Sequence, residues 1–159
     1  MARPHRRLRP VGLEFLDAAP LRMAFSTAIT ASPGAVHRAL AEDTENWPRW
    51  FGAVRRARPT ADGRFIALAG GLRFEETVLA VEAPERYAYR ADTVNRPGVR
   101  AIAEEWRVAP AGGGSLVQWT IAVEPAPAAA PFLRLSAPLL RAAFRRAMRR
   151  LDLRLATQA

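Results

Sequence analysis

The chain contains no cysteine and no lysine, and all 24 of its basic residues are arginine. The lack of cysteine excludes disulfides, thiolate catalysis and cysteine metal sites. The lack of lysine excludes Schiff-base chemistry and lysine-anchored pyridoxal phosphate. Only two histidines are present, and neither belongs to an H-E-x-x-H or similar motif, so we predict no metal site. The nucleotide-binding motifs G-x-G-x-x-G and G-x-x-x-x-G-K-[ST] are also missing, and we expect no cofactor.

Long hydrophobic runs are absent as well. No segment approaches the roughly 18 apolar residues that span a bilayer. Glu14 and Asp17 interrupt the stretch after the arginine-rich N-terminus, where a secretory signal would need its apolar region. We therefore predict a cytoplasmic protein without stable membrane insertion. At 159 residues, the chain is long enough for one domain with a substantial hydrophobic core.

The formal net charge of +9 is confined to the two ends of the chain. Residues 1–10 carry +4 and residues 131–159 carry +6, whereas the segment between them carries −1. Nucleic-acid binding usually combines a basic surface with aromatic or groove-binding elements. No such motif is present, so we expect no nucleic-acid partner. Near the C-terminus, arginines recur at helical spacing and predict a solvated helix face, formed by Arg134, Arg141, Arg145 and Arg149.

The remaining sequence predicts an α+β fold with an antiparallel sheet. Residues 22–30 alternate in polarity as a first strand does. Ser32 then acts as the N-cap and Pro33 as the first residue of a short helix, followed by a second short turn at 45–50. Further strands, separated by turn residues, are predicted at 51–58, 63–69, 72–82, 86–92, 98–109 and 115–124. Seven strands with short links make one long sheet, which must curl.

The C-terminal part of the chain predicts a long helix that ends near residue 157. A first helical turn is expected at 131–136, because Pro138 interrupts a continuous helix. The main helix has one broad apolar face, which includes Leu140, Phe144 and Ala147. At the other end, residues 1–20 are rich in proline and arginine, and we predict an N-terminal arm there and a single domain over residues 21–159.

Five sequence features together resemble one protein family. They are Ala31-Ser-Pro-Gly-Ala-Val36, Trp47-Pro-Arg-Trp-Phe51, Pro84-Glu-Arg86 ahead of a strand, Glu104-Glu-Trp106-Arg-Val, and Gly112-Gly-Gly-Ser115 leading to Trp119. The pattern resembles the START-like, polyketide cyclase/dehydrase and lipid-transport superfamily (SRPBCC) over roughly residues 21–157. The resemblance implies the helix-grip fold. In that fold a curved seven-stranded antiparallel sheet wraps around a long C-terminal helix, with two short helices between strands 1 and 2.

The resemblance also implies a function. Members of the superfamily bind lipids, polyketides, quinones or plant hormones, and some catalyse cyclisation or dehydration. This chain is therefore expected to bind a small hydrophobic or amphipathic ligand, lipid-, polyketide- or quinone-like, in a cavity between the sheet and the C-terminal helix. Two alternatives stay open: a cyclase/dehydratase-type enzyme that uses a cavity carboxylate, and a co-chaperone-like interaction module that uses the basic helix face. The superfamily shares no universal catalytic motif, so catalysis and the oligomeric state both stay open.

Strand alternation predicts which side chains face the cavity. In the strand over 98–109, the large apolar residues have the same parity as Glu104 and should face inward, whereas Ala101, Ala103, Glu105 and Arg107 should face water. The candidate cavity residues are Trp50, Phe51, Phe74, Tyr89, Trp106, Trp119, Leu140, Phe144 and Ala147. For the tryptophans, packing in the core is the alternative to lining a pocket.

Two carboxylates fall on apolar strand faces and are weak candidates for catalytic residues. Glu76 and Glu104 could orient a polar ligand atom or act as general acid or base, with Tyr89 beside them. Alternatively, they pair with Arg73, Arg90 or Arg107, or the strand phase differs by one residue and they lie in water. His37 is expected to be an ordinary exposed residue of the first helix.

Overall fold

The computed structural model describes residues 5–159. The elements in chain order are β1 (Arg6–Arg7), α1 (Phe15–Ala18), β2 (Leu21–Ile29), α2 (Pro33–Ala41), a 3-10 turn (Thr44–Asn46), α3 (Trp47–Trp50), β3 (Val54–Pro59), β4 (Gly63–Leu68), β5 (Arg73–Glu82), β6 (Arg86–Val94), β7 (Val99–Ala111), β8 (Gly114–Pro125), α4 (Ala130–Leu135) and α5 (Ala137–Ala156). The predicted helix-grip architecture is confirmed, including the two short helices between the first two long strands.

Seven strands form one antiparallel sheet in the order β2-β8-β7-β6-β5-β4-β3. The two-residue strand β1 adds to β6, beyond the point where β6 stops pairing with β7. Register shifts occur in β5 next to Glu76 and in β7 next to Val99. Such irregularities bend a strand and increase its twist, so they help the long sheet curl around α5.

The helices begin and end where local sequence chemistry dictates. The hydroxyl of Ser32 accepts a hydrogen bond from the Ala35 amide at 3.3 Å, and Pro33 is the first residue of α2. The hydroxyl of Ser136 donates to the Leu133 carbonyl at 2.5 Å, so Ser136 closes α4 instead of capping α5. The predicted strand at 51–58 starts only at Val54, because α3 occupies the preceding turn.

The main core lies between the inner face of the sheet and α5, and aromatic rings fill much of it. Trp106 is fully buried and stacks on Trp119 with ring centroids 5.3 Å apart. Trp47 meets the Trp106 ring edge-on at 5.7 Å, and Trp47 and Trp50 are 4.8 Å apart. Aromatic pairs in such tilted and stacked geometries stabilise a core beyond the area they bury.

The last helix is fixed near its C-terminal end. The carboxylate of Asp152 accepts hydrogen bonds of 2.9–3.0 Å from the backbone amides of Thr30 and Ala31 and from the Thr30 hydroxyl. The part of α5 that precedes Asp152 packs against the sheet and α3 through its buried side chains, Phe144, Ala147, Met148 and Leu151. Asp152 therefore ties α5 to the connection between β2 and α2.

The segment before β2 covers the outer face of the sheet. Its buried side chains, Val11, Phe15 and Leu16, pack on four alanines of the central strands: Ala88, Ala101, Ala103 and Ala122. The expectation that Ala101, Ala103 and Glu105 face water is therefore wrong, whereas Arg107 is exposed as expected. The division into an arm over 1–20 and a domain over 21–159 stays a prediction, and residues 1–4 lie outside the described part of the chain.

Candidate functional site

A cavity of about 420 Å³ lies between the inner face of the sheet and the α4–α5 side of the molecule. This volume is within the range of small-molecule sites, about 300–1,000 Å³. The exposed residues Arg96, Pro97 and Phe132 lie at its opening. Apolar side chains form most of the wall: Met23, Phe51, Val54, Ile66, Leu68, Leu72, Phe74, Val94, Val99, Ile102, Trp119, Ile121, Val123, Leu133, Leu140 and Ala143.

The structure divides the predicted cavity residues into two groups. The cavity wall includes Phe51, Phe74, Tyr89, Trp119 and Leu140. The other four lie in the core away from the wall: Trp50, Trp106, Phe144 and Ala147. Which of these residues contact a ligand stays a prediction.

Arg64 lines the cavity but was not among the cavity residues predicted from the sequence. Arg64 shares its parity in β4 with Ile66, which is buried, and with Leu68. That shared parity was the available signal, since it places an arginine on an apolar strand face. Arg64 and Ile66 are 2 % and 4 % exposed.

Arg64 forms a buried ion pair with Glu76. The two residues lie directly opposite each other in β4 and β5, and the Arg64 Nε donates to a Glu76 carboxylate oxygen at 2.5 Å. Gly63 permits this close pairing, because a Cβ there would lie 1.9 Å from the Glu76 carbonyl oxygen. None of the partners expected for Glu76 is the right one: Arg90 pairs with Asp92, Arg107 pairs with Glu105, and Arg73 is exposed.

Two aromatic rings enclose the Arg64 guanidinium. Its central carbon lies 4.1 Å from the centroid of the Trp47 ring and 4.0 Å from that of Tyr89, a cation–π arrangement on both faces. Burial alone would lower the pKa of Arg64, but the attraction of Glu76 and the two nearby tyrosines outweighs burial, so the pKa is raised. Arg64 therefore stays positively charged inside the protein.

Glu104 is the carboxyl group of the cavity wall that forms no ion pair with a described residue. It is half-buried and lines the cavity. Tyr89 lies directly opposite Glu104, on the neighbouring strand β6. The Tyr89 hydroxyl oxygen in turn accepts from Trp106 Nε1 at 3.1 Å. Trp106 therefore fixes the position of the Tyr89 hydroxyl on the strand next to Glu104.

The environment of Glu104 favours its protonated form. Burial, followed by the negative charge of Glu76, raises the pKa of Glu104 to about 7, although Tyr89 and Arg64 act in the opposite direction. Burial also raises the pKa of Tyr89 well above its usual range, so Tyr89 keeps its proton. A carboxyl group with a pKa near neutrality, in an apolar cavity, can accept or donate a proton there.

His37 does not take part in this site. It is 1 % exposed, and its Nε2 donates to the Arg86 carbonyl oxygen at 3.0 Å. The expectation of an exposed helix histidine is therefore wrong, because α2 packs that side against β6. Within residues 5–159, no group of three or more histidine or acidic side chains is placed to hold a metal ion. In the same range, no helix is long and apolar enough to cross a membrane.

Residues 20–158 match the family model described as polyketide cyclase / dehydrase and lipid transport. The chain belongs to this family. An uncharacterized protein of Mycobacterium tuberculosis is 32 % identical to this family member over 148 residues, which are 89 % of this chain and 88 % of the relative. An uncharacterized protein of Mycobacterium bovis matches with the same identity and coverage.

Solved structures confirm the fold. A START superfamily protein from Mycobacterium smegmatis superposes with a TM-score of 0.66 at 14 % identity, covering 87 % of this chain and 99 % of that one. The di-domain ARO/CYC BexL from the BE-7585A biosynthetic pathway superposes with a TM-score of 0.70 at 19 % identity, covering 84 % of this chain and 47 % of that one. A major latex-like protein from Panax ginseng superposes with a TM-score of 0.65 at 12 % identity, covering 84 % of this chain and 96 % of that one. At such low identity these structures establish the architecture of this family member and not its ligand.

Proposed function

We propose that the protein binds a small apolar or amphipathic molecule in the cavity between the sheet and α5. The observation that carries the proposal is the cavity itself, about 420 Å³ in volume with a predominantly apolar wall. Transfer of apolar ligand surface from water supplies about 25 cal/mol per Å², so most of the affinity would come from burial. The family description, which includes lipid transport, supports the same function.

Two alanines of α5 offer a matched test. Ala143 lines the cavity, whereas its neighbour Ala142 is exposed. Ala143→Phe should fill part of the cavity and weaken binding of the neutral fluorophore N-phenyl-1-naphthylamine at least several-fold. Ala142→Phe should leave binding unchanged. Equal binding by both variants, with both shown to be folded by their thermal melting, would contradict the proposal. Mass spectrometry of molecules that copurify with the protein would then identify the natural ligand.

A second candidate function is acid–base catalysis of the cyclase or dehydratase type. The observation that favours it is Glu104, a cavity carboxyl with a pKa of about 7 next to the Tyr89 hydroxyl. Of the two weak catalytic candidates, Glu104 is the better one, because Glu76 is engaged by Arg64. Glu104→Gln should abolish turnover of a polyketide-like substrate while binding persists. Unchanged turnover would remove Glu104 from this role.

The interaction-module hypothesis and the cytoplasmic location stay predictions. The former requires a free basic face on the last helix, and Arg141, Arg145 and Arg149 are exposed on α5. If that face binds a partner, neutralising the three arginines should abolish the binding and its dependence on salt.

A further inference from the structure

Four polar side chains cross the otherwise apolar inner face of the sheet. They come from four adjacent strands: Arg64 of β4, Glu76 of β5, Tyr89 of β6 and Glu104 of β7. All four line the cavity. We refer to them as the polar row. Because the polar row lies within an apolar wall, it determines which polar atom of a bound molecule can be accommodated.

The cavity wall contains buried hydrogen-bond donors that lack an acceptor. Two buried donors, Arg64 Nη1 and Trp119 Nε1, have no partner among the described residues, and both side chains belong to the cavity wall. Glu104 also lines the cavity, and in its protonated form the carboxyl group supplies a third donor. Buried donors without partners are costly. A ligand atom that accepts hydrogen bonds would relieve this imbalance.

The charges of the polar row disfavour an ionised ligand group. The single positive charge, on Arg64, is already paired with Glu76. A ligand carboxylate would therefore add a negative charge next to Glu76 and Glu104 without a free cation beside it, in surroundings where charge is poorly solvated. A ligand ammonium group would require ionised Glu104, the form that burial and Glu76 disfavour. The free positive charge of the cavity wall, Arg96, lies at the opening.

We infer that the inner end of the ligand carries an uncharged oxygen, of a carbonyl or hydroxyl group, that accepts a hydrogen bond from Glu104. This inference rests on the proposed binding function and adds the chemical class of the ligand's inner end. It also assigns Glu104 the role of distinguishing neutral oxygen from carboxylate. The remainder of the ligand is apolar and fills the cavity towards α4 and α5, where the wall residues Phe132, Leu133, Leu140 and Ala143 are all uncharged.

The hydrogen bond exists only while Glu104 holds its proton. The titratable and charged groups around it are Glu76, Arg64 and Tyr89 on the neighbouring strands, and the lining residues of α4 and α5 contribute none. Of these, Arg64 stays cationic and Tyr89 stays neutral. Affinity for a neutral oxygen acceptor should therefore fall as the pH rises through about 7, the pKa of Glu104.

Four naphthalene derivatives of similar size test this inference: 2-acetylnaphthalene, 2-ethylnaphthalene, 2-naphthoate and 2-naphthylmethylamine. Their affinities are measured by displacement of N-phenyl-1-naphthylamine at pH 6 and pH 8.5. At pH 6 the ketone should bind about threefold to tenfold more tightly than the hydrocarbon, the range expected for one net hydrogen bond. The carboxylate should bind at least about tenfold more weakly than the ketone. The ketone's advantage over the hydrocarbon should fall at pH 8.5 to what Arg64 Nη1 and Trp119 Nε1 supply.

Variants at Glu104 assign the effect to this residue. Glu104→Leu should lower the ratio of ketone to hydrocarbon affinity at pH 6 to the value that the unaltered protein has at pH 8.5, and should remove the dependence of this ratio on pH. Glu104→Gln retains a donor and should keep the ratio above one at both pH values. The exposed Glu85→Gln serves as the control and should behave as the unaltered protein. Equal affinity for ketone and hydrocarbon in the unaltered protein, or tightest binding of the carboxylate or the amine, would overturn the inference and leave the proposed function intact. Failure to bind the fluorophore and all four compounds would instead overturn the proposed function.

Discussion

The ionisation of Glu104 should make folding stability depend on pH in a defined way. The carboxyl group has a pKa of about 7 in the folded protein against an ordinary value of 4.5. Between these two values the folded chain keeps the proton and the unfolded chain loses it. Stability is therefore highest below about pH 4.5 with respect to this group, falls as the pH rises, and reaches its lower level above about pH 7.

The size of the effect follows from the difference between the two pKa values. At 1.36 kcal/mol for each pKa unit, ionised Glu104 lowers the free energy of unfolding by about 3 kcal/mol at pH 8 relative to a protonated Glu104. Glu104→Gln removes this titration and keeps the shape of the side chain. Relative to the unaltered protein, the free energy of unfolding of the variant should therefore increase by up to about 3 kcal/mol between pH 5 and pH 8.

Urea denaturation at half-unit pH intervals, followed by circular dichroism, measures the difference between the two proteins. The comparison cancels contributions from titrating groups that do not interact with Glu104, because they are common to both chains. Glu85→Gln alters a fully exposed carboxylate and should give a curve parallel to that of the unaltered protein. If the Glu104→Gln curve is also parallel, Glu104 has an ordinary pKa, and burial and Glu76 do not raise it as described.

Two further predictions concern packing and charge elsewhere in the fold. Arg64→Met leaves the buried Glu76 carboxylate unpaired and should lower the free energy of unfolding by about 3–5 kcal/mol. Arg64→Met combined with Glu76→Leu should recover most of the lost stability. A double variant no more stable than the single one would contradict the assignment of an ion pair. Leu16→Ala removes a side chain that is 3 % exposed between the N-terminal segment and the outer face of the sheet, and should lower stability by about 2–5 kcal/mol in denaturant titrations. Leu139→Ala, at a position that is 75 % exposed, serves as the control and should change stability little.

Alternation and capping were sufficient to predict the seven long strands and the helices α2 and α5, but not β1 or α1 within the predicted N-terminal arm. The parity of β7 placed Glu104 and Trp106 on the inner face, and Ser32 marked the start of α2 correctly. Those signals are local, because polarity and backbone propensity within a short window decide them. The break before α5 was likewise predictable from Pro138.

Properties that depend on contacts between distant segments were not predictable in this way. The partner of Glu76 is Arg64 because of the register between β4 and β5, and parity within a single strand does not specify register. The burial of His37 depends on the packing of α2 against β6, where the Arg86 carbonyl is its partner. Glu105 is buried with Arg86 of the neighbouring strand as its ion-pair partner. Strand alternation also predicts only that Trp106 faces inward. It does not predict whether the ring lines the cavity or packs in the core behind the cavity wall.

The unequal burial of the last two helices has a consequence for how the cavity exchanges its contents. Within α4 no residue is buried, and Leu135 and Leu139 are 80 % and 75 % exposed. The second half of α5 is buried and held by Asp152. Local unfolding therefore has a low free energy at α4 and a high one beyond Phe144. Amide hydrogen exchange should be fast in α4 and slow in the second half of α5, which is the pattern that entry of the proposed ligand past α4 requires.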